Sequence, residues 1–309
     1  MPYRLSIATA GKAYVNPNEV IPDSAFGAEF LGWEPFSNFT TRNAELNLPH
    51  IRWPGGIPVE EGINVDGSAD GSREHVFDLK CVNLVEWDRN NGAPRESIRE
   101  MFAYANETGA TFAMVTPTAR YVEQMFKQGD EVGLAAARSD ARIFAEKLVA
   151  GEYGPVPAGF TIEVGSEYYA TGIWKELTSD SAGRPYQKDP GLLPEKFGKV
   201  FAAVVDEMGA VFGDPELNTD GVEVKLAVQL ARHQADPSQN GGDYSDNFAF
   251  IEAFMDAGAI DKVDTLLFHK YTPTFDNIAR GMDQDANGYN LKDAFTLWED
   301  ASGGKAFEF

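Results

Sequence analysis

Short apolar runs alternate along the chain with longer segments of helical periodicity, and this pattern predicts strands separated by helices. The runs predicted as strands are 25–31, 50–53, 111–116, 159–164, 222–229 and 263–269. In 94–106, Ile98, Met101, Phe102 and Ala105 fall on one helical stripe, with Pro94 in the first turn and a glycine beyond the end. Further helices are predicted for 193–212, 247–257 and 290–300.

The alternation of strand and helix predicts an α/β protein with a parallel sheet and crossover helices. No glycine-rich phosphate loop follows any predicted strand, which favours a (β/α)8 TIM barrel over a doubly wound nucleotide-binding fold. Only six strands are complete by residue 269, and 305–309 is predicted to begin a seventh. The expectation is therefore a single barrel domain, 1–309, that is a fragment lacking strands seven and eight.

The charge of the chain limits its partners. It carries 26 Lys and Arg against 48 Asp and Glu, a formal net charge of −22. Because nucleic acids and anionic membranes attract clustered basic residues, neither is predicted as a partner. No apolar run approaches the length of about 18 residues that a membrane span needs. Cys81 is the single cysteine, so an intrachain disulfide is excluded.

Polar and aromatic residues gather at the C-terminal ends of five of the predicted strands, at the edge of the sheet where barrel enzymes build their active sites. They are Arg52 and Trp53 at the end of strand two, Tyr121 after strand three, Ser166, Glu167, Tyr168, Tyr169 and Trp174 after strand four, Gln229 at the end of strand five, and His269 and Tyr271 at the end of strand six. Their concentration at strand ends predicts a site. Structural roles stay open: Arg52 in a salt bridge, His269 with Tyr271 as a core pair, and some of the aromatic rings as ordinary packing.

Three segments together carry a family resemblance: IRWPGG at 51–56, IEVGSEYY at 162–169 and FHKYTP at 268–273. In order and spacing the chain resembles, over essentially its whole length, the retaining glycoside hydrolases of the (β/α)8 clan that includes α-L-arabinofuranosidases, β-xylosidases and β-glucuronidases. The resemblance implies cleavage of O-glycosidic bonds in a poly- or oligosaccharide without a cofactor.

Retaining glycosidases use two carboxyl groups about 5–5.5 Å apart, an acid/base and a nucleophile. The resemblance implies that Glu167 is the acid/base and must start protonated. Ser166 departs from the family, where asparagine usually stands before this Glu. The nucleophile belongs to strand seven, so it is Glu308 or a residue beyond 309; in the latter case the fragment itself is expected to be inactive.

The same resemblance implies roles for the surrounding residues. Arg52 would orient the nucleophile on the barrel floor, and His269 and Tyr271 would contact sugar hydroxyls or the nucleophile. Gln229 and Ser166 are expected to contact substrate. The aromatic residues expected to form platforms for sugar rings at the rim of the pocket are Trp53, Tyr121, Tyr168, Tyr169 and Trp174.

Metal binding receives little support. The spacing of Asp283, Asp285 and Asn287 matches the first ligand positions of an EF-hand calcium loop. Ala294, however, stands at position twelve, where such a loop requires a bidentate Glu. The four histidines are too scattered for a zinc site. The sequence therefore predicts no metal, with this loop as a weak calcium candidate.

Two other functions remain open. One is a catalytically inactive barrel that binds carbohydrate. The other is a lyase or aldolase, whose Schiff base would need Lys270, yet strand alternation places Lys270 opposite His269 and Tyr271. The acidity, the single cysteine and the lack of a Sec-type apolar segment near the start resemble exported bacterial enzymes. They suggest an extracellular location by a non-Sec route, with the cytoplasm as the alternative.

Overall fold

A parallel sheet forms the centre of the structure, a computed structural model that describes residues 27–29, 48–53, 55, 57–60, 98–168, 192–231, 244–268, 284, 287–305 and 307. Within these residues, six strands lie side by side in sequence order. They are β1 (Gly27–Glu29), β2 (His50–Trp53), β3 (Thr111–Thr116), β4 (Thr161–Val164), β5 (Lys225–Gln229) and β6 (Thr265–Leu267). Each pairs in parallel with the next, as the alternating pattern predicts.

Helices connect the strands. They are α1 (Ile57–Glu60), α2 (Ile98–Thr108), α3 (Ala119–Gln128), α4 (Asp130–Val149), α5 (Leu192–Gly213), α6 (Asn247–Ala257) and α7 (Leu291–Ala301). Short 3-10 turns cover Tyr244–Asp246 and Ile260–Lys262. Among the described helices, none is both long enough and apolar enough to cross a bilayer.

The two faces of the sheet differ in chemistry. Cross-strand partners share a face, so the register places Ile51 with Phe112, and Trp53 with Met114, on an apolar face. Phe102 of α2 packs edge-on against Phe112 with ring centroids 5.6 Å apart. Because parallel crossovers are almost always right-handed, a sheet in sequence order carries its connecting helices on this one side.

The opposite face carries the polar residues. Arg52 lies beside Ala113, Val115 beside Glu163, and Glu163 beside Ala227. Gln229, two residues after Ala227, points to the same side. The polar residues of β2, β4 and β5 therefore share the face away from the connecting helices.

The predicted α/β class with a parallel sheet is confirmed. The closed barrel is a finer prediction: the described strands form an open sheet with β1 and β6 at its edges. Prediction and structure agree on both ends of β2, β3 and α6. Strand β4 begins later than predicted because Gly159 turns the chain at φ 70°. Lys305 and Phe307 are not in a strand, and the rest of 305–309 lies outside the described residues.

Neither α3 nor α4 is predicted from the sequence, and Tyr121 is assigned to the rim of the pocket after strand three. Four of the nine buried residues of α4 are alanines, among them Ala137 and Ala141, and such a stripe is a weak hydrophobic signal. Gly133 explains the close packing of the two helices. A Cβ there would lie 2.5 Å from the Tyr121 carbonyl oxygen and 2.4 Å from the Met125 side chain.

Candidate active site

An ion pair with a buried carboxylate joins β2 to β4 on the polar face of the sheet. Arg52 donates from Nε to Glu163 Oε2 and from Nη2 to Oε1, both at 2.7 Å. Strand β3 lies between the two strands, with Ala113 paired with Arg52 and Val115 paired with Glu163. The Glu163 side chain is only 2% exposed and that of Arg52 is 22% exposed. The guanidinium therefore compensates a carboxylate that has almost no access to water, in the bidentate geometry that makes such pairs strong.

Ser166 connects this ion pair to the turn that follows β4. Its Oγ accepts a hydrogen bond from Arg52 Nη2 at 2.9 Å, and its backbone N–H donates to Glu60 Oε1 at 2.8 Å. The residue is fully buried. The Ser166 hydroxyl, which we expected to contact substrate, is thus bound first of all to Arg52.

Glu60, which the sequence analysis missed, fastens three segments together. Its carboxylate accepts from Thr118 N (2.8 Å), Thr118 Oγ1 (2.7 Å) and Ala119 N (2.7 Å), in addition to Ser166 N. It therefore caps the first turn of α3 and holds the turn after β4. Burial raises the pKa of Glu60, while these hydrogen bonds act in the opposite direction.

Replacing Glu60 with Gln tests this role. The amide nitrogen cannot accept a hydrogen bond, so at least one buried N–H donor loses its partner. We expect Glu60→Gln to lower the free energy of unfolding by about 2–3 kcal/mol, measured by urea denaturation. The matched control is Glu123→Gln on the exposed side of α3, for which about 0.5 kcal/mol or less is expected. Equal effects of the two substitutions would contradict the assigned role.

Glu167 stands at the carboxyl end of β4 in an uncommon backbone conformation. Its φ is +46°, and among the described residues it is the single non-glycine with positive φ. Such a conformation costs about 1–2 kcal/mol for a residue with a Cβ, and it concentrates at functional sites. Its N–H donates to Gln229 Oε1, and the residue is 9% exposed.

Gly165 makes the turn before Glu167 possible. Its φ is +73°, and a Cβ at this position would lie 2.5 Å from the Phe201 ring of α5. Both the backbone conformation and the space therefore require glycine. The turn 165–167 therefore packs against α5 at Gly165 and carries Glu167 just past the carboxyl end of β4.

Gln229, the last residue of β5, completes the cluster. It is fully buried, and its Oε1 accepts the Glu167 N–H. Its Nε2 is buried without a hydrogen-bond acceptor among the described residues. The structure thus brings together Arg52, Ser166, Glu167 and Gln229 of the predicted site residues, from the ends of β2, β4 and β5.

Three predicted sugar platforms lie in the core instead, which corrects that prediction. Trp53, Tyr121 and Tyr168 are 2%, 1% and 0% exposed. Tyr121 faces α4 and donates to Asp140 Oδ2 at 3.0 Å. The ring of Tyr168 packs against Phe197, with centroids 5.2 Å apart. A sugar platform needs an open ring face, so these residues contribute packing.

The remaining predictions fall largely outside the described residues. These are Tyr169, Trp174, His269, Tyr271 and Glu308, together with the calcium candidates Asp283 and Asp285. Asn287 is described, and its amide donates to Ser245 Oγ at 3.0 Å. Within the described ranges, no group of three or more His, Cys, Asp or Glu residues is placed to hold a metal ion.

Glu163 is a second residue that sequence reasoning missed, although a signal was present. A charge inside the apolar run 160–164 must be paired once the strand is buried, and Arg52 is the corresponding charge in β2. The resulting cluster offers a carboxyl group for proton transfer beside polar groups for binding.

Comparisons of this chain with protein-family models, with curated proteins and with solved structures found no match.

Proposed function

We propose that this chain is a retaining glycoside hydrolase, with Glu167 as its acid/base. The observation that carries the proposal is the strained Glu167 backbone at the carboxyl end of β4, held by a side chain from β5. Carboxyl ends of parallel strands are where barrel enzymes build their catalytic sites. Strain at a polar residue there is typical of a position kept for function rather than for stability.

The sheet supports a barrel as the scaffold. Parallel strands in sequence order, with connecting helices on one side, are the arrangement of consecutive βα units in a (β/α)8 barrel. Arg52, Glu163 and Gln229 would then project into its interior. We propose that strands outside the described residues close the sheet.

The proposed reaction uses two carboxyl groups in two steps. Glu167 gives its proton to the glycosidic oxygen as the bond to the anomeric carbon breaks, while a second carboxylate attacks that carbon and forms a covalent glycosyl-enzyme. Water then attacks the same carbon, Glu167 takes its proton, and the carboxylate leaves. Glu163 does not suit the role of nucleophile, since it lies inside β4 rather than at the carboxyl end of the strand, where barrel enzymes place their catalytic residues. We assign the nucleophile to a residue outside the described ranges, with Glu308 as one candidate.

Hydrolysis and its stereochemistry test the proposal. The full gene product is expected to cleave aryl glycosides from a panel that includes α-L-arabinofuranosides, β-xylosides and β-glucuronides. Proton NMR of the first product should show the same anomeric configuration as the substrate. Inversion, or full activity in Glu167→Gln, would contradict the mechanism. The control is Glu223→Gln, an exposed residue before the amino end of β5, which should leave activity unchanged.

An inactive carbohydrate-binding barrel is the second candidate. It is favoured by Ser166, whose hydroxyl is engaged by Arg52 at the position where the related hydrolases carry asparagine. Saccharide binding in calorimetry without turnover would support this candidate. If the protein neither binds nor hydrolyses any saccharide of the panel, both candidate functions are contradicted.

A further inference from the structure

We propose that Gln229 is a positioning residue that imposes the left-handed backbone conformation of Glu167. Its catalytic consequence rests on the proposed function, whereas the conformational effect can be measured without any reaction. The inference concerns the Gln229 Oε1 acceptor and the Glu167 N–H that donates to it.

The register of the sheet sets the reach of Gln229. Val164 of β4 pairs with Val228 of β5, so Gln229 stands level with Gly165 at the end of the sheet. Its side chain extends past the last ladder pair to the peptide of Glu167. Because the Gln229 amide is fully buried, it has few alternative hydrogen-bond partners. Since Oε1 must face the N–H, the orientation of the amide group is fixed as well.

Two neighbouring peptide N–H groups are held in the same manner. Glu60 accepts from Ser166 N, and Gln229 accepts from Glu167 N. These acceptors come from two different elements, α1 and β5. A buried N–H without an acceptor costs free energy. The position of the Gln229 Oε1 acceptor therefore fixes the orientation of the peptide plane between Ser166 and Glu167. The direction of that plane determines φ of Glu167.

A set of four variants tests the conformational effect. At positive φ, glycine is favoured over alanine, whereas at ordinary φ it is disfavoured. We expect Glu167→Gly to have an unfolding equilibrium constant about fivefold lower than that of Glu167→Ala in the otherwise unchanged chain. In the Gln229→Met background, which keeps side-chain length but removes the acceptor, this preference should vanish or reverse. The same glycine preference in both backgrounds would overturn the proposal.

Further substitutions guard against a failure of Gln229→Met to fold. Gln229→Asn keeps the amide but shortens the side chain by one methylene, so it should also abolish the glycine preference. Gln229→Glu retains an acceptor at the same reach, and the preference should persist there. Because each comparison is made within one background, the overall stability of the background cancels.

Kinetics connect the conformation to catalysis. A displaced catalytic group can slow a reaction by as much as about 10²-fold, so Gln229→Met should lower kcat by about 10- to 100-fold and change KM less than about twofold. If the glycine preference behaves as expected and no glycoside is hydrolysed, the proposed function fails and the positioning role stands. If hydrolysis occurs and the preference is unaffected by Gln229, the positioning role fails alone.

Discussion

Glu167→Gln is expected to slow the hydrolysis of glycosides with poor leaving groups by about 10²–10⁴-fold, the contribution typical of general acid catalysis. An amide has nearly the same shape as the carboxyl group but cannot give a proton to the departing oxygen. The hydrogen bond from the N–H of residue 167 to Gln229 Oε1 remains in the variant, because its donor belongs to the backbone. The loss therefore measures the carboxyl group rather than the turn that carries it. Steady-state kcat/KM on alkyl or phenyl glycosides provides the measurement.

The leaving group separates a proton donor from a structural residue. A dinitrophenolate leaves without protonation, so the first step of Glu167→Gln should stay close to wild type on dinitrophenyl glycosides. The second step lacks its base in the variant and should be slow. A fast first step followed by a slow second step should release dinitrophenolate in a burst. Azide, which attacks without losing a proton, should restore turnover. A loss that is the same for every leaving group would contradict the acid/base role, and Glu223→Gln again serves as the control.

The parts of the fold that sequence predicted well are those whose signal is local. The stripe of Phe250 and Phe254 in α6 repeats at helical spacing, and Gly258 ends the helix in the left-handed conformation. Strand β3 is a continuous apolar run between polar ends, as a strand buried on both faces should be. Each strand end then indicates one edge of a parallel sheet, which is why Arg52, Glu167 and Gln229 could be assigned to one site.

The rest depends on contacts distant in the sequence. Glu60 binds Ser166, 106 residues further along the chain, and no local pattern reports such a contact. Tyr121 was misplaced because its direction depends on where α3 begins. Once Ala119 starts the helix, the ring faces α4 rather than the end of β3. The strained φ of Glu167 is likewise set by neighbours from another strand.

Removal of Arg52 is the second large effect that we expect. Arg52→Met removes the bidentate guanidinium partner of the Glu163 carboxylate, whose side chain is 2% exposed. Breaking a buried pair from one side destabilises a protein by about 3–5 kcal/mol. We expect a loss of this size in urea denaturation at neutral pH. The control Arg142→Met, on an exposed i,i+4 pair with Glu146, should cost about 0.5 kcal/mol or less.

The double variant Arg52→Met/Glu163→Leu distinguishes a functional ion pair from a stabilising one. Apolar residues of similar volume often replace a buried pair without loss, so the double variant should recover most of the stability that Arg52→Met loses. Activity should not recover with it, because Arg52 also donates to Ser166 beside Glu167. Recovered stability with lost turnover would mean that the charges serve the site. An Arg52→Met effect no larger than that of Arg142→Met would show that Glu163 needs no compensation.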